Sequence, residues 1–154
     1  MATKEQIVRG RPLAARLLAT VLRNSLSVGT HLLNPLTLAL AGSQRLPLLA
    51  VIHHRGRRSG RPYATPVGAR PTADGFVIPL TFGERTDWFR NVLAAGGCVI
   101  RWHGAEYPVI EPEVIDWATA RAACSPVERI LMPLIGIEQF VRLRHAPASE
   151  NAPA

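Results

Sequence analysis

Two periodicities divide the chain. Across residues 13–40, apolar positions recur at helical spacing (LAARLLATVLRNSLSVGTHLLNPLTLAL), which predicts two short helices broken near Gly29 or Pro35. After Gly42-Ser43 the period shortens. Short β-branched or aromatic runs follow at 46–54, 63–69, 76–81, 98–103 and 106–111. Turn signals separate them at Arg58-Ser59-Gly60-Arg61, Asp74-Gly75 and His103-Gly104, the last two tight enough for hairpins. One helix interrupts the strands at 88–95, with Thr86 as N-cap, Asp87 in its positive first turn and Gly96-Gly97 as its stop. Another is predicted at 116–123. A third opens on Ser125-Pro126-Val127-Glu128, with Ser at the N-cap, Pro at N1 and Glu at N3 forming a capping box. The helical reading continues to Leu143 with kinks at Pro133 and Gly136, and the tail from Ala146 is expected to be disordered.

This order predicts an α+β chain, mainly β. It is a small barrel of about six mostly antiparallel strands with N-terminal, inserted and C-terminal helices. Strand–helix alternation and any GxGxxG are missing, which excludes a doubly wound nucleotide fold. A length of 154 residues fits one such domain. The organisation expected is a helical segment at 1–42, packed on the barrel or on a membrane surface, the barrel at 43–145, and a tail at 146–154. Residues 24–44 carry no formal charge, yet only nine of these 21 are apolar. A spanning helix needs ~20 predominantly apolar residues, so a transmembrane span is rejected.

Charge sharpens the picture. The net +7 is unevenly placed: residues 1–73 hold eleven basic groups and one acid, whereas 74–154 hold seven Arg and ten acids. Four of the first-half arginines, Arg55, Arg57, Arg58 and Arg61, crowd one turn with Gly56, Ser59 and Gly60. Glycines let an anion approach the backbone, Ser59 adds a hydroxyl, and guanidinium forks neutralise oxyanions. The alternative is a solvated basic turn. GxxxxGK[ST] is absent, so this is no P-loop.

Other chemistries lack their residues. There is no HExxH, Cys/His cluster or carboxylate cage for a metal, and His53 and His54 on one strand point to opposite faces. No GxSxG elbow exists. His31, His103 and His145 read as structural, and Cys98 reads as core. Two cysteines without CxxC, and no apolar leader, predict a reduced cytoplasmic protein, peripheral at most at the inner membrane face. The nine aromatics do not interleave with the arginines, which disfavours nucleic acid.

The combination GRRSGRPYATPV (56–67), Thr81-Phe82-Gly83 and Asp87-Trp88-Phe89-Arg90-Asn91 before AAGG resembles the deazaflavin-dependent nitroreductase family, over about residues 46–111. The resemblance implies a flavin-binding-type split β-barrel that uses reduced coenzyme F420, an 8-hydroxy-5-deazaflavin, to reduce nitro compounds, quinones or activated alkenes. It implies that Arg57, Arg58 and Ser59 hold the coenzyme phosphate and that Thr65 and Pro66 run beside the ring. Thr81, Phe82 and Gly83 would line the coenzyme, and Trp88 and Asn91 would close it in. Trp88 reads equally as a barrel-capping aromatic. No side chain is assigned as a catalytic acid or base, because hydride chemistry belongs to the coenzyme.

Where some relatives carry Lys-Gly-Gly after the third strand, this chain has Thr81-Phe82-Gly83-Glu84. Where others place tyrosines near the C-terminus, residues 126–143 hold only Phe140 among aliphatics. A small hydrophobic substrate is therefore expected, and a homodimer is implied by related barrels. The alternatives are an FMN or FAD protein on the same barrel, and a non-enzymatic lipid- or fatty-acid-binding protein that meets an anionic membrane surface through its N-terminal segment.

Overall fold

The structure, a computed structural model, describes residues 49–148. The N-terminal helical segment and the end of the tail fall outside the described residues. Seven strands form one antiparallel sheet: β1 (Leu49–Arg55), β2 (Pro62–Gly68), β3 (Arg70–Thr72), β4 (Gly75–Pro79), β5 (Gly97–Trp102), β6 (Ala105–Asp116) and β7 (Gln139–His145). Helix α1 (Asp87–Ala95) enters between β4 and β5. The short α2 (Trp117–Ala120) and α3 (Pro126–Ile135) lie between β6 and β7.

The strand order is β2-β1-β5-β6-β7-β4-β3. Its two outermost strands, β2 and β3, are consecutive in the chain and joined by the single buried residue Ala69. One residue cannot cross a flat seven-stranded sheet, whose strands lie ~4.8 Å apart. The sheet must curl until its two edges meet at Ala69. The result is a mostly β, curled half-barrel, consistent with the small barrel expected from the sequence but built of seven strands in place of about six.

Most elements sit where the pattern places them. Thr86 is the N-cap of α1, although its hydroxyl donates to the Gly83 carbonyl (3.3 Å) and makes no side-chain cap. Asp116 caps α2 by accepting from the Thr119 N–H at 2.9 Å. The capping box of α3 is complete: Ser125 Oγ accepts from the Glu128 N–H, and Glu128 Oε2 from the Ser125 N–H. At the β5–β6 turn His103 (φ 51°) and Gly104 (φ 81°) both adopt the left-handed region, as a two-residue primed turn requires.

The C-terminal helical reading needs correction. Gly136 ends α3 in the left-handed conformation, its N–H on the Met132 and Pro133 carbonyls, and no helix follows. Residues 139–145 (QFVRLRH) form β7, which fills the gap between β6 and β4. Its Arg142 and Arg144 alternate with buried Val141 and Leu143, the period-2 pattern of a strand. With the three-residue β3, this raises the count to seven. The other hairpin turns at Ala73-Asp74, one residue earlier than expected, because Gly75 already pairs with Thr72.

Two cores result. The first fills the curl: Ala50, Ile52, Phe76, Ile78, Phe89, Val92, Ile100, Val141 and Leu143. The second lies behind it, under α2 and α3, with Val77, Ile115, Ala120, Met132, Ile137 and Phe140. Strand β4 serves both, which is why Phe76, Val77 and Ile78 form an unbroken apolar run. Arg70 on β3 and Glu128 on α3, both buried, form an ion pair that ties α3 to the edge of the sheet. No helix among the described residues is long and apolar enough to cross a membrane.

Candidate functional site

The arginine-rich turn 56–61 joins β1 to β2 and folds on itself. The Gly56 N–H donates to the Arg61 carbonyl (2.9 Å), and the Gly60 N–H to the Gly56 carbonyl (2.8 Å). Gly60 takes φ 66°, and a Cβ on Gly56 would run into Ser59 Oγ and meet Tyr63 Cε2 at 3.0 Å. Gly60 thus holds a conformation that favours glycine, and a side chain at Gly56 would displace the Ser59 hydroxyl. Ser59 Oγ accepts from the Arg61 N–H (3.3 Å), so this hydroxyl oxygen braces the turn while its proton stays free to donate.

The turn is latched to α1. Asp87 and Asn91 stand four residues apart, on one face of the helix. Arg57 Nη1 and Nη2 both donate to Asp87 Oδ1 at 3.0 Å. Asn91 Oδ1 accepts from the Arg57 backbone N–H (3.1 Å) and from Nη1 (2.9 Å). The Asn91 amide, buried in the domain, then turns its NH₂ to His54 Nδ1 (3.1 Å), and His54 Nε2 meets Thr65 Oγ1 at 3.0 Å.

This network selects the histidine tautomer. With Asn91 Oδ1 taken by Arg57, Nδ1 of His54 must accept, so the ring proton sits on Nε2 and is donated to Thr65. Burial, followed by the neighbouring His53, holds the His54 pKa below the usual histidine value, against a smaller opposing pull from Asp87. Neutral His54 fits its partners. A proton on Nδ1 would confront the Asn91 NH₂. Tyr63 stacks on the His54 ring, with centroids 5.7 Å apart.

Alternation along β1 and β2 explains the grouping. The pairs Ile52–Thr65 and His54–Tyr63 share the inner face with the first core. Pro66, one residue on and opposite Val51, belongs to the other face. Of the residues singled out in the sequence, the network thus unites Arg57, Thr65 and Asn91. Arg58 and Ser59 stand on the same turn, exposed. Trp88 is partly buried against the first core and edge-on to Phe89 (5.8 Å), the arrangement of a core aromatic. Thr81, Phe82 and Gly83 form the loop before α1, where the Gly83 N–H closes a turn on the Leu80 carbonyl (2.9 Å). They make no hydrogen bond to the arginine turn.

Two members of the network carry no site signal in the sequence. His54 reads there only as a metal-ligand candidate, and Asp87 only as a helix N-terminal residue. The legible signals were the four-residue spacing of Asp87 and Asn91 and the inward register of His54.

The cations therefore divide. Arg57 is committed to Asp87 and Asn91, with its side chain 22% exposed, and Arg55 donates to the Gly60 carbonyl (3.2 Å). The guanidinium groups of Arg58 and Arg61, both exposed, have no partner among the described residues. Two permanently charged forks on a braced turn can hold a phosphate or carboxylate. No protein-family model and no curated protein matches this chain.

Proposed function

We propose that this protein binds a deazaflavin coenzyme of the F420 type and presents it, reduced, to a hydrophobic acceptor such as a quinone, nitro compound or activated alkene. The observation that carries the reading is the division of the arginines. One of them, with Asn91, pins the turn to α1, and Arg58 and Arg61 are left exposed with guanidinium groups that have no partner among the described residues. The sequence combination of the turn with Thr81-Phe82-Gly83 and Asp87–Asn91 supports it. A coenzyme with a phosphodiester and an acidic tail suits two guanidinium groups that have no partner among the described residues, so the residues present fit the group.

When bound, the reduced deazaflavin supplies a hydride. The chain's own part is positional. Arg58, Arg61 and the Ser59 hydroxyl proton bind the anionic end. Arg57 keeps the turn against α1 through Asn91 and Asp87. His54 holds the Thr65 hydroxyl oxygen, leaving that proton to donate along β2. Neutral His54 adds no cation to the anion site, so anion affinity resides in the arginines.

The test is a fluorescence titration of the full chain with F420, with FMN in parallel. Saturable F420 binding is expected, weakened about 5–20-fold in Arg58→Ala and Arg61→Ala, consistent with ~1–2 kcal/mol for a charged hydrogen bond made by an exposed arginine. Absence of F420 binding at tens of micromolar overturns the proposal, as does FMN binding more tightly than F420.

A further inference from the structure

Tyr63, the second residue of β2, takes no part in the latch between the arginine turn and α1, yet its ring is held in place. It pairs with His54 across the β1–β2 ladder, and the two rings stack with 21° between their planes. The histidine is buried and engaged at both nitrogens, by Asn91 and by Thr65. A ring resting on so fixed a neighbour loses little freedom when something else is laid against it. Tyr63 nevertheless remains 47% exposed, so His54 covers one side of it and much of the rest faces water. A large π-surface that is preset and left open suits the stacking of a second planar ring.

The same ring reaches the anion-binding end of the turn. A Cβ at Gly56 would touch Tyr63 Cε2 and Ser59 Oγ at once, so the ring edge and the hydroxyl flank one point. Glycine at 56 is what allows this approach. Arg58 and Arg61, exposed and with guanidinium groups that have no partner among the described residues, belong to the same turn. The turn itself carries no acid, and the Asp87 carboxylate that meets it from α1 is engaged by Arg57. A π-face thus lies beside oxyanion donors. That pairing recognises a planar ring carrying an anionic chain, whereas a bare oxyanion needs only the arginines and the serine.

Two other aromatics offer less. Trp88 packs edge-on against Phe89 at the first core, and Phe82, though exposed, stands on a loop with no hydrogen bond to the turn. Tyr63 and Thr65, two residues apart, share one face of β2, so a ring on Tyr63 lies on the side from which Thr65 meets His54.

We propose that Tyr63 is the platform on which the planar ring of the bound ligand stacks, while Arg58, Arg61 and Ser59 hold its anionic chain. This rests on the coenzyme reading, in which the ring is the 8-hydroxy-5-deazaflavin, and it names the residue that selects for a ring.

The experiment titrates the full chain with F420 by fluorescence and then displaces it with pyrophosphate, which has the charge and no ring. Tyr63→Leu, Tyr63→Phe and Arg58→Ala are compared with the wild type, and circular dichroism checks that each keeps its fold. Stacking on an aromatic side chain contributes about 5–150-fold per ring. Tyr63→Leu should therefore weaken F420 at least about fivefold and leave the pyrophosphate inhibition constant unchanged. Tyr63→Phe should bind both as the wild type does, and Arg58→Ala should weaken both. If Tyr63→Leu binds F420 like the wild type while Arg58→Ala does not, the platform is overturned and the coenzyme reading stands. Equal losses of F420 and pyrophosphate in Tyr63→Leu overturn it too, because Tyr63 then only supports the turn. So does a loss in Tyr63→Phe as large as in Tyr63→Leu, which assigns the effect to the hydroxyl. A wild type that binds no F420 overturns both proposals.

Discussion

Asn91 is the residue on which the geometry of the arginine turn depends most. Replacing it with Ala removes an acceptor from the Arg57 N–H and Nη1, and a donor from His54 Nδ1. Each lost bond is worth about 0.5–1.5 kcal/mol net, and a buried acceptor left bare, here His54 Nδ1, costs about 1–3 kcal/mol. Arg57 is partly exposed and recovers water, so its share sits at the low end, and the total comes to about 2–4 kcal/mol. The contrast is Asp87→Ala. Asp87 is 83% exposed, and a surface ion pair of this kind is worth under about 1 kcal/mol. Urea unfolding followed by circular dichroism measures both, with an unchanged m-value required for the comparison. If Asn91→Ala costs no more than Asp87→Ala, the buried amide is not what holds the turn, and the division of labour among the arginines fails with it.

Three further outcomes follow from buried titratable groups. The His54 pKa lies below its ordinary 6.5, so the unfolded chain takes up a proton that the folded one resists. Stability from this source is complete above pH 6.5 and declines as pH falls through the window below it, and His54→Gln should visibly flatten urea midpoints across that window. Glu128 is pushed up by burial, but hydrogen bonds from Arg70 and Ser125 outweigh this and hold its carboxyl below the usual range. Its contribution is present above about pH 4.5 and is lost as pH falls through the lowered value, and Glu128→Gln, by leaving Arg70 uncompensated, should cost about 3–5 kcal/mol in the same assay. Burial pushes the Cys98 thiol up to about 12. At pH 8 about one molecule in ten thousand carries the thiolate, so Cys98 should react with a disulfide reagent only on unfolding, as peptide mapping of the labelled protein can check.

Local chemistry was legible wherever the signal lay within a few residues. The Ser125–Glu128 capping box, the start of α1 after Thr86, the His103-Gly104 turn and the β1, β2 and β5 runs are set by backbone geometry and neighbouring side chains, and the structure reproduces them. Strand β7 was also written locally, in the alternation of FVRLR, but the apolar run of α3 immediately before it invited one long helix. The stop at Gly136 carried the missing information.

What the sequence by itself determined is the type of each element and the placing of four arginines on one glycine-rich turn. Only the tertiary structure decided which arginine is tied down. Asp87 and Asn91 lie more than 25 residues beyond that turn, and only the packing of α1 against β1 brings them to Arg57. The curl of the sheet is likewise tertiary, since it follows from β2 and β3 ending on opposite edges with one residue between them. Both outcomes depend on contacts distant in sequence, and neither periodicity nor motif spacing encodes which distant partner will satisfy a given charge.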